Sequence, residues 1–278
     1  MVGDGERLDE RSLVEGHVVV DRVDPAALHR DLLGQAATTT GKADEVHVRV
    51  EVVRARLLRV DIVRKHVRLD DDVLADRSIE AIINTTPNDV HLETTRAAAA
   101  AGKHVFLDKP IANNVSEGRA ITEVCRKAGV ILGMGYQRRR ESHFRWVKQQ
   151  IAAGTFGKLV NAEANISRDR LGKIDLSSWR YQAAGMPGGV MLQIGIHYTD
   201  VLTYLMGPVK AVRGQFAQLV LPGDNPDVAS LILEHENGAL STLNASYASA
   251  SEYYLMNIYG KDATAYYDMH GGLRLLKR

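Results

Sequence analysis

The chain has 278 residues, a formal net charge of +1 and a single cysteine, Cys125. The balanced charge excludes a globally basic nucleic-acid-binding surface, and the lone cysteine excludes a disulfide framework and a multi-cysteine metal site. No apolar run approaches the roughly 20 residues that span a bilayer, and no charged-then-apolar leader opens the chain, so a cytoplasmic protein without membrane contact is expected.

Residues 1–70 hold 14 Val and 10 Arg but one Ile, one Pro and no Phe, Tyr or Trp. Aromatic side chains contribute much of a core's buried area, so this stretch reads as irregular or loosely packed. Within it, Val46 to Val60 has the spacing of a two-faced strand with arginines on one side. From Asp71 onward the local signals agree. Ile79 to Asn84 predicts a buried strand, and Thr85-Thr86-Pro87-Asn88 a turn. His91 to Ala101 predicts an Ala-rich helix capped by Gly102. His104 to Leu107 is a short strand. A helix starts at Ser116-Glu117 and ends near Gly129; Cys125 falls inside it and reads as a buried, inert thiol. Val130 to Met134 is a third strand. Strands alternating with helices imply βαβ units and a parallel sheet. Right-handed crossovers then gather Thr85–Asn88, Asp108-Lys109-Pro110 and Gly135-Tyr136-Gln137 at one edge, where open α/β folds bind ligands.

A different pattern begins near Tyr136. His143 to Ala153 is a helix, Leu159 to Ile166 a strand, and Gly195 to Leu205 a helix closed by Gly207-Pro208. Strands are predicted at 209–219, 227–235, 238–246 and 252–259, with shorter candidates at 263–267 and 273–276. This is an α+β unit with a large, mostly antiparallel sheet and helices on one face. Three regions follow: 1–70, 71–135 with Rossmann-like βαβ units, and 136–278. Apolar residues alternate along the later strands, so the sheet's second face should be an apolar surface through which copies of the chain associate.

The candidate chemistry centres on Lys109 and His197. Lys109 is either a solvated surface lysine or one partly desolvated beside a cofactor, with Asp108 to tune it. His197 is either a structural histidine or an acid/base group. It lies on Gly188-Gly189-Val190-Met191-Leu192-Gln193-Ile194-Gly195-Ile196-His197, where the glycines allow close approach to a ligand and Gln193 sits one helical turn earlier. Asp200 falls off that face and reads as helix surface. His91 is either a packing residue or part of an anion-favouring helix N-terminus. Arg138-Arg139-Arg140 is either a solvated run or the source of one anion-binding arginine, Arg139. Trp179 and Arg180 could wall a flat ligand. No metal-ligand spacing, P-loop or G-x-S-x-G elbow is present.

Four segments carry a family resemblance. Ala81–His91 with its Thr86-Pro87-Asn88 turn, and Ala101-Gly102-Lys103-His104-Val105-Phe106-Leu107-Asp108-Lys109-Pro110, resemble the TPN-x-x-H and A-G-K-H-V-x-x-E-K-P segments of the glucose–fructose oxidoreductase / inositol dehydrogenase (Gfo/Idh/MocA) family. Gly135–Arg139 resembles its G-[FY]-N-x-R strand end. Gly188–Asp200 resembles its G-G-G-x-L-x-D-x-G-x-H-x-x-D helix. The resemblance implies a Rossmann domain, then an α/β domain with a large sheet, and hydride transfer between NAD or NADP and a hydroxyl carbon of a sugar, cyclitol or related polyol. It implies Lys109 and His197 as catalytic, and Thr86, Asn88, His91, Asp108 and Gln137 at the nicotinamide half of the cofactor site. Gln193, Arg139, Trp179 and Arg180 are then the expected substrate contacts, and pairing of subunits through the C-terminal sheet is expected.

Asp108 stands where the family has Glu, and Gln193 where it has Asp; Gln cannot take a proton, which leaves the acid/base work to Lys109 and His197. Residues 1–70 show none of the family's motifs: Gly3-Asp4-Gly5 follows no strand, and no G-x-G-x-x-G turn or ribose-binding acid follows it. Impaired cofactor binding is expected, as is an early end to the chain at Arg278. The alternative reading is a non-catalytic remnant of the fold that binds a small polyol or a partner chain.

Overall fold

The structure, a computed structural model, describes residues 71–171, 175 and 177–278, together with the backbone of two short strands at 18–21 and 56–58. The chain divides into two units, residues 1–135 and 136–278. Gly3-Asp4-Gly5 and most of Val46–Val60 lie outside the described residues.

The first unit contains β1 (Val18–Asp21), β2 (Arg56–Leu58), α1 (Asp71–Ala75), β3 (Ala81–Asn84), α2 (His91–Ala100), β4 (His104–Leu107), α3 (Val115–Ala128) and β5 (Leu132–Met134). The strand order is β2-β1-β3-β4-β5. β3, β4 and β5 are parallel, as the strand–helix alternation requires. β1, from the stretch in which no family motif is legible, runs antiparallel to both β3 and β2. The helix ends follow local chemistry. Asn114 caps α3 by accepting from the Glu117 backbone N–H at 2.9 Å, and Gly129 ends it at φ +68°. The apolar faces of α2 and α3 supply Ala98 and Ile121 to a core with Ile82, Val105 and Leu107 of the strands. Cys125 is buried there, and burial pushes its thiol up.

The second unit contains α4 (Ser142–Ala152), β6 (Leu159–Asp169), a π-helical turn at Met191–Gly195 that runs into α5 (Ile196–Met206), and then β7 (Val209–Ala217), β8 (Val228–His235), β9 (Leu240–Ser246), β10 (Ala248–Gly260), β11 (Ala263–Asp268) and β12 (Gly272–Lys277). The seven strands are ordered β12-β11-β10-β6-β9-β8-β7. All neighbours are antiparallel except β6 and β9. Phe144 and Val147 of α4 and Tyr198, Val201, Leu202 and Leu205 of α5 pack with Ala164, Ile166, Leu243 and Met256 of the sheet's inner face. The outer face departs from expectation. It carries Ser230, Thr242, Asn244, Glu163 and Asn257, joined by side-chain bonds such as Ser230 Oγ to Asn244 Oδ1 at 2.7 Å and Asn257 Nδ2 to Glu163 Oε2 at 3.1 Å. Across β8, β9 and β6 that face is a polar ladder with Ile232 and Leu240 exposed, whereas across β10, β11 and β12 it carries Tyr253, Leu255, Tyr259, Tyr266 and Leu276, so the face is mixed rather than wholly apolar. Among the described residues, no helix is long and apolar enough to cross a membrane.

Candidate functional site

In the first unit the candidate residues meet at the C-terminal ends of β3, β4 and β5. The Asp108 backbone N–H donates to the Asn84 carbonyl at 2.9 Å, and the Gly135 N–H to the Leu107 carbonyl at 2.8 Å, so sheet bonding continues to this edge. Asp108 Oδ1 accepts from the Lys109 backbone N–H at 2.8 Å, fixing where the lysine leaves the sheet. The Lys109–Pro110 bond is cis. Gly135 packs closely here: a Cβ would lie 3.2 Å from Asp108 Oδ1 and 3.3 Å from the Leu107 carbonyl, so a side chain would press on the corner.

The turn after β3 is held from inside. Asn84 Oδ1 accepts from the Thr86 hydroxyl at 2.7 Å and from its backbone N–H at 3.2 Å. Asn88 Nδ2 donates to Asn113 Oδ1 at 3.0 Å. His91 is 1% exposed, and both ring nitrogens face protein carbonyls: Nε2 at 2.9 Å from Thr86 O and Nδ1 at 3.3 Å from Ile111 O. Burial pulls its pKa below the ordinary 6.5 against the opposing pull of those carbonyls. A neutral imidazole carries one N–H, and the shorter contact assigns it to Nε2. As that neutral tautomer His91 donates to the Thr86 carbonyl and fixes the turn after β3, while its Nδ1 packs against the loop after Pro110 without a hydrogen bond to it.

In the second unit Gln193 lies in the π-helical turn and His197, 6% exposed, in the first turn of α5. π-turns occur disproportionately at functional sites. The glycines before them serve the fold itself. Gly188 and Gly189 have φ +82° and +46°, and a side chain on Gly189 would strike the Pro226 carbonyl. Gly195 is pressed by Met191 and Ala245. The close approach read from these glycines is made by the protein.

Asp200 corrects the helix-surface reading: it is 9% exposed and takes both arms of the Arg139 guanidinium, Nε at 2.7 Å and Nη2 closer still. That hydrogen bonding holds the Arg139 guanidinium above its ordinary pKa despite burial, and burial pushes the Asp200 carboxyl up against the same pair. Arg138 bonds Glu141 at 3.1 Å and stacks 4.7 Å above the Tyr254 ring. Gln137 is exposed in a 3₁₀ turn, Gln137–Arg140. Arg180 lies 4.6 Å over the ring of its neighbour Trp179.

Sequence reasoning missed three buried polar residues. Lys103 is 3% exposed and donates to the carbonyls of Asp76 at 2.8 Å and Ile79 at 3.1 Å. Asp227, 1% exposed, accepts from the backbone N–H groups of Leu219, Val220 and Leu221. Tyr247 is 2% exposed. Lys103 stood in the Ala101–Pro110 motif without a role assigned to it, and Asp227 had a signal in the turn-forming Gly223-Asp224-Asn225-Pro226 before it.

A Rossmann-type unit whose polar strand ends include an Asp-Lys-Pro corner is followed in the chain by a unit on a large mixed sheet. Residues 28–136 match the family model for the oxidoreductase family NAD-binding Rossmann fold, and residues 144–266 that for the GFO/IDH/MocA C-terminal domain. The chain belongs to the GFO/IDH/MocA family. The first match begins at residue 28, so it takes in a stretch in which no family motif is legible. The chain is 31% identical over 150 residues to 1,5-anhydro-D-fructose reductase of Ensifer adhaerens, covering 53% of this chain and 44% of that protein. It is 29% identical over 190 residues to myo-inositol 2-dehydrogenase of Thermotoga maritima, covering 66% and 54%. Among solved structures, the WlbA dehydrogenase of Bordetella pertussis, in complex with NADH and UDP-GlcNAcA, superposes with a TM-score of 0.67 at 28% identity, over 71% of this chain and 58% of that one. An oxidoreductase domain protein from Kribbella flavida shares the fold, with a TM-score of 0.70 at 24% identity over 75% and 60%. The chain spans about half the length of the curated relatives it matches.

Proposed function

We propose that this chain is an NAD(P)-dependent dehydrogenase of a sugar, cyclitol or related polyol. The observation that carries the reading is the Asp108-Lys109-Pro110 corner at the C-terminal end of a central parallel strand, where such folds place their chemistry. The donor set there fits a nicotinamide riboside: amides, a hydroxyl, a carboxylate and an ammonium group border the edge, with Gly135 keeping Asp108 unobstructed.

Held at this edge, a nicotinamide would supply the hydride acceptor for the substrate's hydroxyl carbon. Lys109, as the amine, takes the hydroxyl proton as the carbonyl forms, and returns it in the reverse direction. Asp108 holds the lysine's backbone. His197 is the acid/base group on the substrate side, and Gln193 a hydrogen-bond partner for substrate hydroxyls. Thr86, Asn88, Asp108 and Gln137 border the nicotinamide half, with His91 behind them. Trp179, Arg180 and, through its ion pair, Arg139 shape the substrate side. The chain works as a homo-oligomer through the outer face of the seven-stranded sheet.

The test is turnover of a polyol panel at saturating cofactor. Lys109→Ala is expected to lower kcat by about 10²-fold or more, the scale of a lost general acid/base. Near-normal turnover in that variant would remove Lys109 from the chemistry.

A further inference from the structure

In the second unit a recess of about 10 Å³, room for one water-sized group, is walled by residues that include Arg180, Tyr181, Asn225, Asp227 and Tyr247. Its polar lining is unsatisfied. Tyr247 is 2% exposed and its hydroxyl has no hydrogen-bond partner; the side-chain oxygen of Asn225 is likewise buried and unpartnered. Buried polar groups left unpaired are costly, and each unpaired one in a folded protein calls for an explanation. Asn225 cannot turn its amide to satisfy that oxygen, because its Nδ2 already donates to the Met186 carbonyl at 3.0 Å.

Cations surround the recess. Arg170 Nε is buried without an acceptor, and Arg170 is bonded through its backbone N–H to the Tyr247 carbonyl at 3.1 Å. Among the described residues no carboxylate pairs with Arg170 or Arg180. The nearby carboxylate of Asp227 is consumed by three backbone N–H groups, so it offers neither arginine a partner. The guanidiniums of Arg170, Arg168 and Arg180 all act on the Tyr247 hydroxyl, while burial, the larger effect, keeps it protonated and able to donate. The demand is thus specific: an oxygen to accept from Tyr247, a hydroxyl to donate to Asn225, and negative charge for two arginines.

We propose that this recess is a subsite for a polyhydroxy acid, a sugar-derived ligand whose carboxylate engages Arg180 and Arg170 while an adjacent hydroxyl enters between Tyr247 and Asn225. The inference rests on the dehydrogenase reading only for the ligand's role as substrate; binding itself does not depend on it. It narrows the substrate class from polyols at large to sugar acids. Gly189 belongs to the subsite as well, since a side chain there would collide with the Pro226 carbonyl and deform the wall.

Calorimetric titration of the full chain without cofactor tests the proposal, with D-gluconate against D-glucitol, which differ only in the carboxylate. Gluconate is expected to bind at least roughly ten-fold more tightly than glucitol, the scale of a charge-assisted bidentate contact. Arg180→Gln should weaken gluconate roughly ten-fold and leave glucitol little changed, with Arg180→Lys retaining part of the preference, and Tyr247→Phe, which removes the bond to the hydroxyl, should weaken gluconate roughly ten-fold as well. Melting curves check that each variant stays folded. Equal binding of the two ligands, no binding of either, or a gluconate preference untouched by both variants would overturn the subsite; the last two are what a recess filled by a structural water predicts. Gluconate binding with no turnover would instead overturn the dehydrogenase reading and leave the subsite standing.

Discussion

His91 shows how a motif residue can matter without touching a ligand. Its ring lies between Thr86 and Ile111, in the loops that follow β3 and the Lys109–Pro110 corner. Its folded pKa is lowered, so the folded state binds its proton less readily than the unfolded chain, where the value is near 6.5. The stability His91 contributes as a neutral ring is therefore complete above that value and declines as pH falls below it. Urea unfolding between about pH 7.5 and pH 5.5 should show a falling midpoint, flattened in His91→Gln. An unchanged slope in the variant would assign the acid sensitivity elsewhere. The motif pointed to His91 and Asp200 as residues to watch, but they face residues 20 and 61 positions away. Periodicity does not reach that far, which is why Asp200 reads as surface in the sequence and is a buried anchor for Arg139 in the fold.

At the scale of elements, sequence was most informative where local rules dominate. The β3-α2-β4-α3-β5 run was legible because Gly102 and Gly129 punctuate it and its strands are mostly apolar, although α3 starts at Val115 under an Asn114 cap rather than at Ser116. The π-turn at Met191–Gly195 was not, because one inserted residue barely alters a helical pattern. The outer face of the seven-stranded sheet was misread in part, for a different reason. Alternation shows which residues share a face but not which face the helices take, and α4 and α5 take the more apolar one. What remains outside across β8, β9 and β6 is a ladder of Ser, Thr, Asn and Glu with Ile232 52% and Leu240 49% exposed, and across β10, β11 and β12 a set of Tyr and Leu side chains. Interfaces between subunits are often about as polar as ordinary surface, so this composition is compatible with self-association. The proposed oligomer should sediment as a single species larger than one chain at micromolar concentration. Thr242→Arg, placing a charge at the middle of the ladder, should shift it to monomer with its circular dichroism intact. A folded wild-type monomer would end the idea.

For the molecule as a whole, the open question is the cofactor's other half. A dinucleotide's pyrophosphate is ordinarily held by a glycine turn leading from the first strand into a helix, at the same sheet edge as the nicotinamide. Here β1 runs antiparallel to β3, so the chain leaving β1 after Asp21 emerges at the edge opposite Asn84 and Asp108. The sequence before β3 also lacks the G-x-G-x-x-G spacing, although the family match extends back to residue 28. The described strand β1 thus ends, at Asp21, beside Ala81 and away from Asn84. The nicotinamide side keeps its polar frame around Asp108 and Thr86, so the cofactor would be recognised at one end and weakly supported at the other. Each tenfold loss of affinity corresponds to about 1.4 kcal/mol, roughly the worth of one hydrogen bond to a charged group, so a cofactor held without a glycine turn would lose several such factors. NADH and NADPH, titrated separately and followed by nicotinamide fluorescence, should bind with Kd values well above the micromolar range and with little difference between them. Micromolar or tighter binding of either would mean that residues 28–70 build a phosphate site by a route other than the glycine turn.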